Sequence, residues 1–123
     1  MFVYGTLKRG FCRHFALKNQ TFISEARTAN RYRMFNVGTY PGLIDAHEGG
    51  VSISGEVWEV SADCLLHLDE VEGVDERLYE RRRIELESPE HDPVEAYFYL
   101  RSVQDCPDCG EAWVDELSRQ DHA

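Results

Sequence analysis

The pattern of apolar and polar positions predicts one amphipathic helix, at residues 61–73. Ser61 is a suitable N-cap, and Gly73 can adopt the left-handed conformation that ends a helix. At about 100° per residue, four apolar side chains share one face of this helix, namely Cys64, Leu65, Leu68 and Val71. Glu72 projects onto the same face, whereas Glu70 points the opposite way. A carboxylate therefore lies where a helix normally carries an apolar residue.

The position of Glu72 has two interpretations. A carboxylate on the packed face of a helix loses contact with water, which raises its pKa and makes it suitable as a general base near neutral pH. Alternatively, Glu72 bends out to solvent at the helix end or pairs with one of the arginines that follow it. Helix-end carboxylates are common and buried ones are rare, so the helix alone favours the second interpretation.

Strand-like alternation predicts a chain that is mostly β-structure around this helix. A short strand at residues 2–4 opens the chain, and further strands are predicted at residues 21–26, 32–37, 51–60, 79–87 and 94–100. The second and third of these are compatible with a hairpin. Gly55 in mid-strand indicates a bulge or a close backbone approach. Between residues 11 and 18 we expect a short helix that packs through Cys12, Phe15 and Ala16.

Two turn segments are candidates for a binding site. The turn at residues 5–10 is bracketed by two glycines and can direct several backbone N–H groups at a carboxylate or an oxyanion. It lacks the residues of the nucleotide-binding loops, and a plain turn is the favoured local interpretation. The turn-rich segment at residues 38–43 can form a pocket wall. Tyr97 and Tyr99 either line a pocket or pack in the core.

Length and charge restrict the classes of function. The chain has 123 residues, of which 42% are hydrophobic, and this predicts one compact domain. Its formal net charge of −10 argues against non-specific nucleic-acid binding and against an anionic membrane, and it favours a small-molecule partner. No segment approaches the ~20 apolar residues of a membrane span, and no signal-peptide pattern opens the sequence. We therefore expect a cytoplasmic protein.

The cysteines and a cluster of arginines each have a functional and a non-functional interpretation. The four cysteines are too scattered for a disulfide framework, and Cys106 with Cys109 is only half of a zinc site, so we expect no metal. A zinc-stabilised interaction through this tail remains a further hypothesis. The basic cluster comprises Arg77, Arg81, Arg82 and Arg83. One of these can hold a substrate carboxylate, but a solvated strand that pairs with Glu80, Glu85 and Glu87 is favoured.

Four segments, in this order, resemble the γ-glutamylcyclotransferase-like family, and most of all its small γ-glutamylamine cyclotransferase branch. They are FVYGTLKRG at residues 2–10, YPGL at 40–43, GEVW at 55–58 and LDEVEG at 68–73, with Tyr79 and Arg81 shortly after. The similarity spans residues 2–100. It leaves the tail at residues 102–123 outside the match.

The resemblance implies an α+β fold, a compact mixed β-barrel flanked by short helices, with residues 1–123 forming a single domain. It also implies a site in which Tyr4, Gly5, Thr6 and Leu7 bind the α-carboxylate and backbone of a γ-glutamyl substrate. Glu72 is then the general acid/base. Because the helical projection singles out Glu72 independently, the two observations together favour its functional interpretation.

The implied reaction is a cyclisation that needs neither metal nor cofactor. The α-amine of a γ-glutamyl compound attacks its own γ-carbonyl and releases 5-oxoproline together with an amine or amino acid. One carboxylate can take the proton from the ammonium and hand it to the leaving amine. The competing hypothesis is a binding module of the same fold, which holds a carboxylate ligand without turning it over.

Overall fold

The structure is a computed structural model that describes residues 1–11, 13–38, 40–88 and 94–113. Within these residues the chain forms one α-helix, α1 (Ala62–Val71), and a short 3₁₀ helix (His14–Leu17). The strands described are β1 (Phe2–Val3), β2 (Thr21–Thr28), β3 (Tyr32–Asn36), β4 (Pro41–Asp45), β5 (Ser54–Glu59), β6 (Tyr79–Ile84), β7 (Leu86–Ser88) and β8 (Val94–Tyr99). Neither of the described helices is long and apolar enough to cross a membrane.

The strands form antiparallel pairs in three sheets. One sheet has the order β1-β5-β2-β7, and β3 with β4 and β6 with β8 form the other two. Strand β8 lies beside both β1 and β4, so the sheets curl around a common interior. This arrangement confirms the predicted α+β class. It brings the end of β1 close to the chain that follows α1.

Two clusters of buried side chains fill the interior. The first lies between the sheets and includes the fully buried Met34, Leu43 and Ile53. The second lies beneath α1 and the 3₁₀ helix and consists of Val3, Leu7, Ala16, Leu17, Trp58, Leu68, Tyr79 and Tyr97. This second cluster joins α1 to β1 and β8. It therefore sets the position of the helix relative to the turn that follows β1.

Helix α1 has the predicted ends and the predicted buried face. The Ser61 hydroxyl accepts a hydrogen bond from the Cys64 N–H at 3.1 Å, and Gly73 has a φ of 68°. Leu68 has no exposed surface, whereas Glu70 is exposed. Local sequence signals thus account for the start, the end and the orientation of this helix.

The hairpin expected between the second and third predicted strands is wrong. Strand β2 pairs with β5 and β7, and β3 pairs with β4, which uses part of the segment predicted to be only a turn. The Thr28 N–H donates to the Ile53 carbonyl, and the Ala29 N–H donates to the Glu85 carbonyl. The connection therefore crosses from one sheet to another instead of folding back.

The segment at residues 11–18 also differs from its prediction. The helix there is a four-residue 3₁₀ helix in which Ala16 and Leu17 are buried, but 70% of Phe15 is exposed. A 3₁₀ helix has three residues per turn, so different side chains share a face than in an α-helix. The predicted packing of Phe15 is wrong, and Cys12 lies outside the described residues.

Gly55 explains how β1 packs so closely against β5. A Cβ atom at this position would lie 2.5 Å from both the Val3 carbonyl oxygen and the Phe2 ring. Backbone cannot move aside as a flexible side chain can, so any residue with a Cβ atom would force the two strands apart. The close approach expected at Gly55 is confirmed.

The described part of the tail is hydrogen-bonded to two of the three sheets, through β3 and through β5. The Asn36 N–H donates to the Pro107 carbonyl at 2.8 Å, and the Ser54 N–H donates to the Glu111 carbonyl at 2.7 Å. The Trp113 side chain is 5% exposed and belongs to the core between the sheets. Within the described residues, no three His, Cys, Asp or Glu side chains lie close enough together to hold a metal ion. Residues 114–123 lie outside the described part.

Candidate active site

A narrow pocket of about 360 Å³, measured out to its open mouth, lies between the end of α1 and the turn after β1. Its walls are formed by Phe2, Val3, Tyr4, Gly5, Thr6, Leu7, Arg13, Tyr40, Pro41, Glu72, Tyr79 and Tyr97. The four loop residues and the carboxylate singled out in the sequence therefore line one pocket. Tyr40 and Pro41 supply the wall expected from residues 38–43.

Glu72 lines this pocket and directly follows Val71, the last residue of α1. Its N–H donates to the Leu68 carbonyl at 2.9 Å, so the helix fixes its backbone. The side chain is partly buried, and within the described residues no basic group lies at ion-pair distance from it. Burial raises the pKa of Glu72 to about 7, and the nearby Arg13 guanidinium opposes part of this rise. Near neutral pH this carboxyl group can accept a proton and also return it.

The turn after β1 lines the same pocket and carries backbone N–H donors. The Lys8 N–H closes the turn on the Gly5 carbonyl at 3.1 Å, and the Arg13 N–H donates to the Thr6 carbonyl at 2.8 Å. Within the described part of the chain, the N–H groups of Gly5, Thr6 and Leu7 have no protein acceptor. Buried N–H groups need an acceptor, so these three are available to an anionic ligand.

Tyrosine side chains form the buried wall of the pocket. The Tyr4 hydroxyl donates to the Tyr97 carbonyl at 2.6 Å, and the Tyr79 hydroxyl donates to the Pro41 carbonyl. Burial raises the pKa of both Tyr4 and Tyr79 well above the usual value, and the charge of Glu72 adds to the rise. Both hydroxyls therefore stay protonated and are already hydrogen-bonded. Both side chains are buried and form part of the pocket wall.

A polar network fixes the end of α1 next to Glu72. The Tyr97 hydroxyl donates to Asp69 at 2.6 Å, and the Arg81 guanidinium lies 3.3 Å from the same carboxylate. Arg81 also pairs with Glu95 at 3.1 Å. Because Asp69 precedes Glu72 by one helical turn, this network ties the helix end to β6 and β8.

The arginine cluster of residues 77–83 does not reach the pocket. Arg81 is occupied by Asp69 and Glu95, and Arg82 pairs with Glu80 and Asp45. The favoured alternative, a strand whose arginines pair with Glu80, Glu85 and Glu87, therefore describes the Arg82–Glu80 pair correctly. It does not describe Arg81, whose partners Asp69 and Glu95 lie on α1 and β8. Arg13 is the cation that lines the pocket instead, and sequence reasoning missed it. Neither spacing nor periodicity marks Arg13, because its importance depends on contacts between distant segments.

Comparison with known sequences agrees with this geometry. A sequence model of the family described as "Gamma-glutamyl cyclotransferase, AIG2-like" matches residues 1–115. The chain belongs to this family. The match extends beyond Arg101 and so includes the part of the tail that packs on the sheet.

Individual relatives place the chain among γ-glutamylcyclotransferase sequences. It is 36% identical over 89 residues to a putative γ-glutamylcyclotransferase of Vibrio cholerae, and the aligned residues cover 72% of each chain. It is also 36% identical over 114 residues to γ-glutamylaminecyclotransferase A of Danio rerio, which covers 85% of this chain and 70% of that one. The crystal structure of an AIG2-like protein from Mus musculus superimposes with a TM-score of 0.75 at 25% identity, over 93% of this chain and 86% of the other. The predicted family and fold are confirmed.

Proposed function

We propose that this protein is a γ-glutamylcyclotransferase. The substrate is a γ-glutamyl amine or γ-glutamyl amino acid, and the products are 5-oxoproline and the released amine or amino acid. The observation that carries the proposal is that Glu72, with a pKa of about 7, lines the same pocket as Gly5, Thr6 and Leu7, whose N–H groups have no acceptor within the described residues. A proton acceptor and an anion-binding turn in one pocket are what a zwitterionic γ-glutamyl group requires.

The turn after β1 would bind the substrate. The N–H groups of Gly5, Thr6 and Leu7 would hold the α-carboxylate, and the tyrosine wall would keep the γ-glutamyl chain folded back on itself. Intramolecular attack in a fixed geometry avoids much of the entropy loss of a bimolecular step. The buried wall also strengthens every electrostatic interaction inside the pocket, because it excludes water.

Glu72 would carry both proton transfers. It takes a proton from the α-ammonium, and the free amine forms a bond to the γ-carbonyl carbon. When the tetrahedral intermediate collapses, the bond from that carbon to the leaving nitrogen breaks, and Glu72 returns the proton to this nitrogen. The ring nitrogen still carries a second proton of the original ammonium, which Glu72 then removes and passes to the released amine, so that the amine leaves as an ammonium ion. The atoms and charges then balance without a co-reactant, since the substrate supplies its own nucleophile.

A turnover assay tests the proposed function directly. Purified protein is incubated with a panel of γ-glutamyl amines and γ-glutamyl dipeptides, and 5-oxoproline is measured by mass spectrometry. We expect 5-oxoproline and the free amine in equal amounts from at least one class of substrate. Tight binding of these compounds without product would show instead that the pocket is a carboxylate-binding module.

The pH dependence of kcat/KM should report the ionisation of Glu72. Because burial raises the pKa of Glu72 to about 7, its carboxylate becomes protonated as the pH falls through that value. The protonated form cannot accept the proton of the α-ammonium, so activity should be full above about pH 8 and fall about tenfold per pH unit below about pH 6. An acid limb near the ~4.3 of a free glutamate would contradict this assignment.

A further inference from the structure

Arg13 lies at the mouth of the pocket and is held there by protein contacts. Its backbone N–H donates to the Thr6 carbonyl at 2.8 Å, which fixes the start of the side chain. Its guanidinium lies 5.9 Å from the centre of the Tyr40 ring. The Tyr40 ring packs against the Tyr79 ring, with 6.3 Å between the two ring centres. Arg13 and Tyr40 are both partly exposed, whereas Tyr79 is buried. The guanidinium is therefore supported at the open end of the pocket.

Arg13 differs from most other arginines of this acidic protein. Several arginines form an ion pair with at least one carboxylate, namely Arg9, Arg27, Arg31, Arg33, Arg81 and Arg82. Within the described residues, the Arg13 side chain has no carboxylate at ion-pair distance and no hydrogen bond. A guanidinium whose five donors are unpaired can hold a carboxylate with two parallel hydrogen bonds.

Two charged side chains line the pocket and act on any charged ligand inside it. Among the described residues that line the pocket, Arg13 is the only cation and Glu72 is the only carboxylate. A second carboxylate on the substrate, beyond the amide that breaks, would be repelled by Glu72. Arg13 offsets this repulsion and can bind the second carboxylate directly.

We propose that Arg13 selects γ-glutamyl substrates whose leaving group carries a carboxylate. This inference rests on the proposed function, and it favours γ-glutamyl amino acids over γ-glutamyl alkylamines. The α-carboxylate of the γ-glutamyl group has its own donors, the N–H groups of the buried turn at Gly5, Thr6 and Leu7. Arg13 lies outside that turn and is partly exposed, so a leaving group that points out of the pocket would pass beside it.

A pair of substrates that differ by one carboxylate tests the proposal. γ-Glutamylalanine and γ-glutamylethylamide have the same leaving nitrogen and the same carbon skeleton apart from the carboxylate of alanine. Assays at about pH 8.5 keep Glu72 ionised in every variant, so that changes in its pKa do not enter the comparison. Arg13→Gln should lower kcat/KM about 10- to 100-fold for γ-glutamylalanine and less than about threefold for γ-glutamylethylamide.

Two further variants control for charge and for folding. Arg13→Lys keeps the charge but not the two parallel hydrogen bonds, so it should recover part of the preference for γ-glutamylalanine. Arg31→Gln removes a surface arginine that pairs with Glu85 at 2.8 Å, and it should change neither substrate's kcat/KM. Equal losses on both substrates in Arg13→Gln, or no loss on either, would overturn the proposal.

Calorimetry separates this inference from the proposed function. If the unaltered protein releases 5-oxoproline from no compound of the panel, these two included, the proposed function is wrong, and the binding of the two compounds is then compared. Tighter binding of γ-glutamylalanine that is lost in Arg13→Gln would still support selection of the carboxylate by Arg13. Equal binding of the two compounds, or binding of neither, would overturn this inference as well.

Discussion

Replacement of Glu72 by glutamine should lower kcat for 5-oxoproline release by about 10²- to 10⁴-fold, the usual contribution of a general acid/base. Glutamine has nearly the same shape as the protonated glutamate, so the pocket keeps its form. It cannot take the proton from the α-ammonium or return one to the leaving nitrogen. The measurement is single-turnover and steady-state release of 5-oxoproline by mass spectrometry.

The matched control is Glu70→Gln. Glu70 lies on the same helix but is exposed on the opposite face, and it does not line the pocket. The same change of charge at this position should leave kcat within about twofold of the original value, since surface substitutions away from the pocket have small effects. Near-normal turnover in Glu72→Gln, or an equal loss in Glu70→Gln, would remove Glu72 from the proposed mechanism.

The stability of the Glu72→Gln variant distinguishes lost chemistry from lost folding. Because its pKa is raised in the folded state, Glu72 binds its proton more tightly there than in the unfolded chain. This contribution to the free energy of unfolding is fully present below about pH 4.5 and is lost as the pH rises through about 7. Glutamine does not ionise, so the free energy of unfolding of the variant does not fall for this reason as the pH rises. At pH 8 the variant should therefore be at least as stable as the original protein. Chemical denaturation at pH 5 and pH 8 measures the difference.

Of the substitutions proposed for this protein, Leu68→Ala should destabilise the fold most, with the free energy of unfolding lowered by about 2–5 kcal/mol. Leu68 has no exposed surface and lies in the cluster that joins α1 to β1 and β8. Removal of three buried carbon atoms leaves a cavity that the surrounding side chains fill only in part. For a domain of this size the melting temperature should fall by about 8–20 °C.

Leu66→Ala is the control for this substitution, because Leu66 lies on the same helix with 66% of its surface exposed. Its effect on the free energy of unfolding should stay within about 0.5 kcal/mol. The two variants share the same change in chemical group and helix propensity, so the difference between them measures burial alone. If the two variants had the same melting temperature, the packing described beneath α1 would be incorrect.

Features that depend on neighbouring residues in the chain, such as the ends and the buried face of a helix, can be predicted from the sequence. The ends of α1 follow from Ser61 and Gly73, and its buried face follows from the spacing of apolar residues. The same projection put Glu72 on the packed side. The turn after β1 was found because two glycines bracket it and because its residues resemble a known family.

Pairing between distant segments could not be predicted in the same way. Strand β3 is equally suited by composition to β2 and to β4, and the choice depends on which faces the rest of the core buries. Arg13 was missed for a related reason. Its role depends on Tyr40 and Glu72, which reach it only in the folded chain, and no periodicity within residues 11–18 indicates that contact.

The buried indole of Trp113 has a practical consequence for anyone who shortens this protein. The motifs that resemble the family end at residue 100, so an alignment based on those motifs invites truncation just after Arg101. Such a fragment would lose the Pro107 and Glu111 carbonyls that accept hydrogen bonds from Asn36 and Ser54. It would also lose the Trp113 side chain and so leave a cavity in the core between the sheets. We therefore expect the smallest fragment that folds on its own to extend at least to Trp113, so that fusion partners belong beyond it.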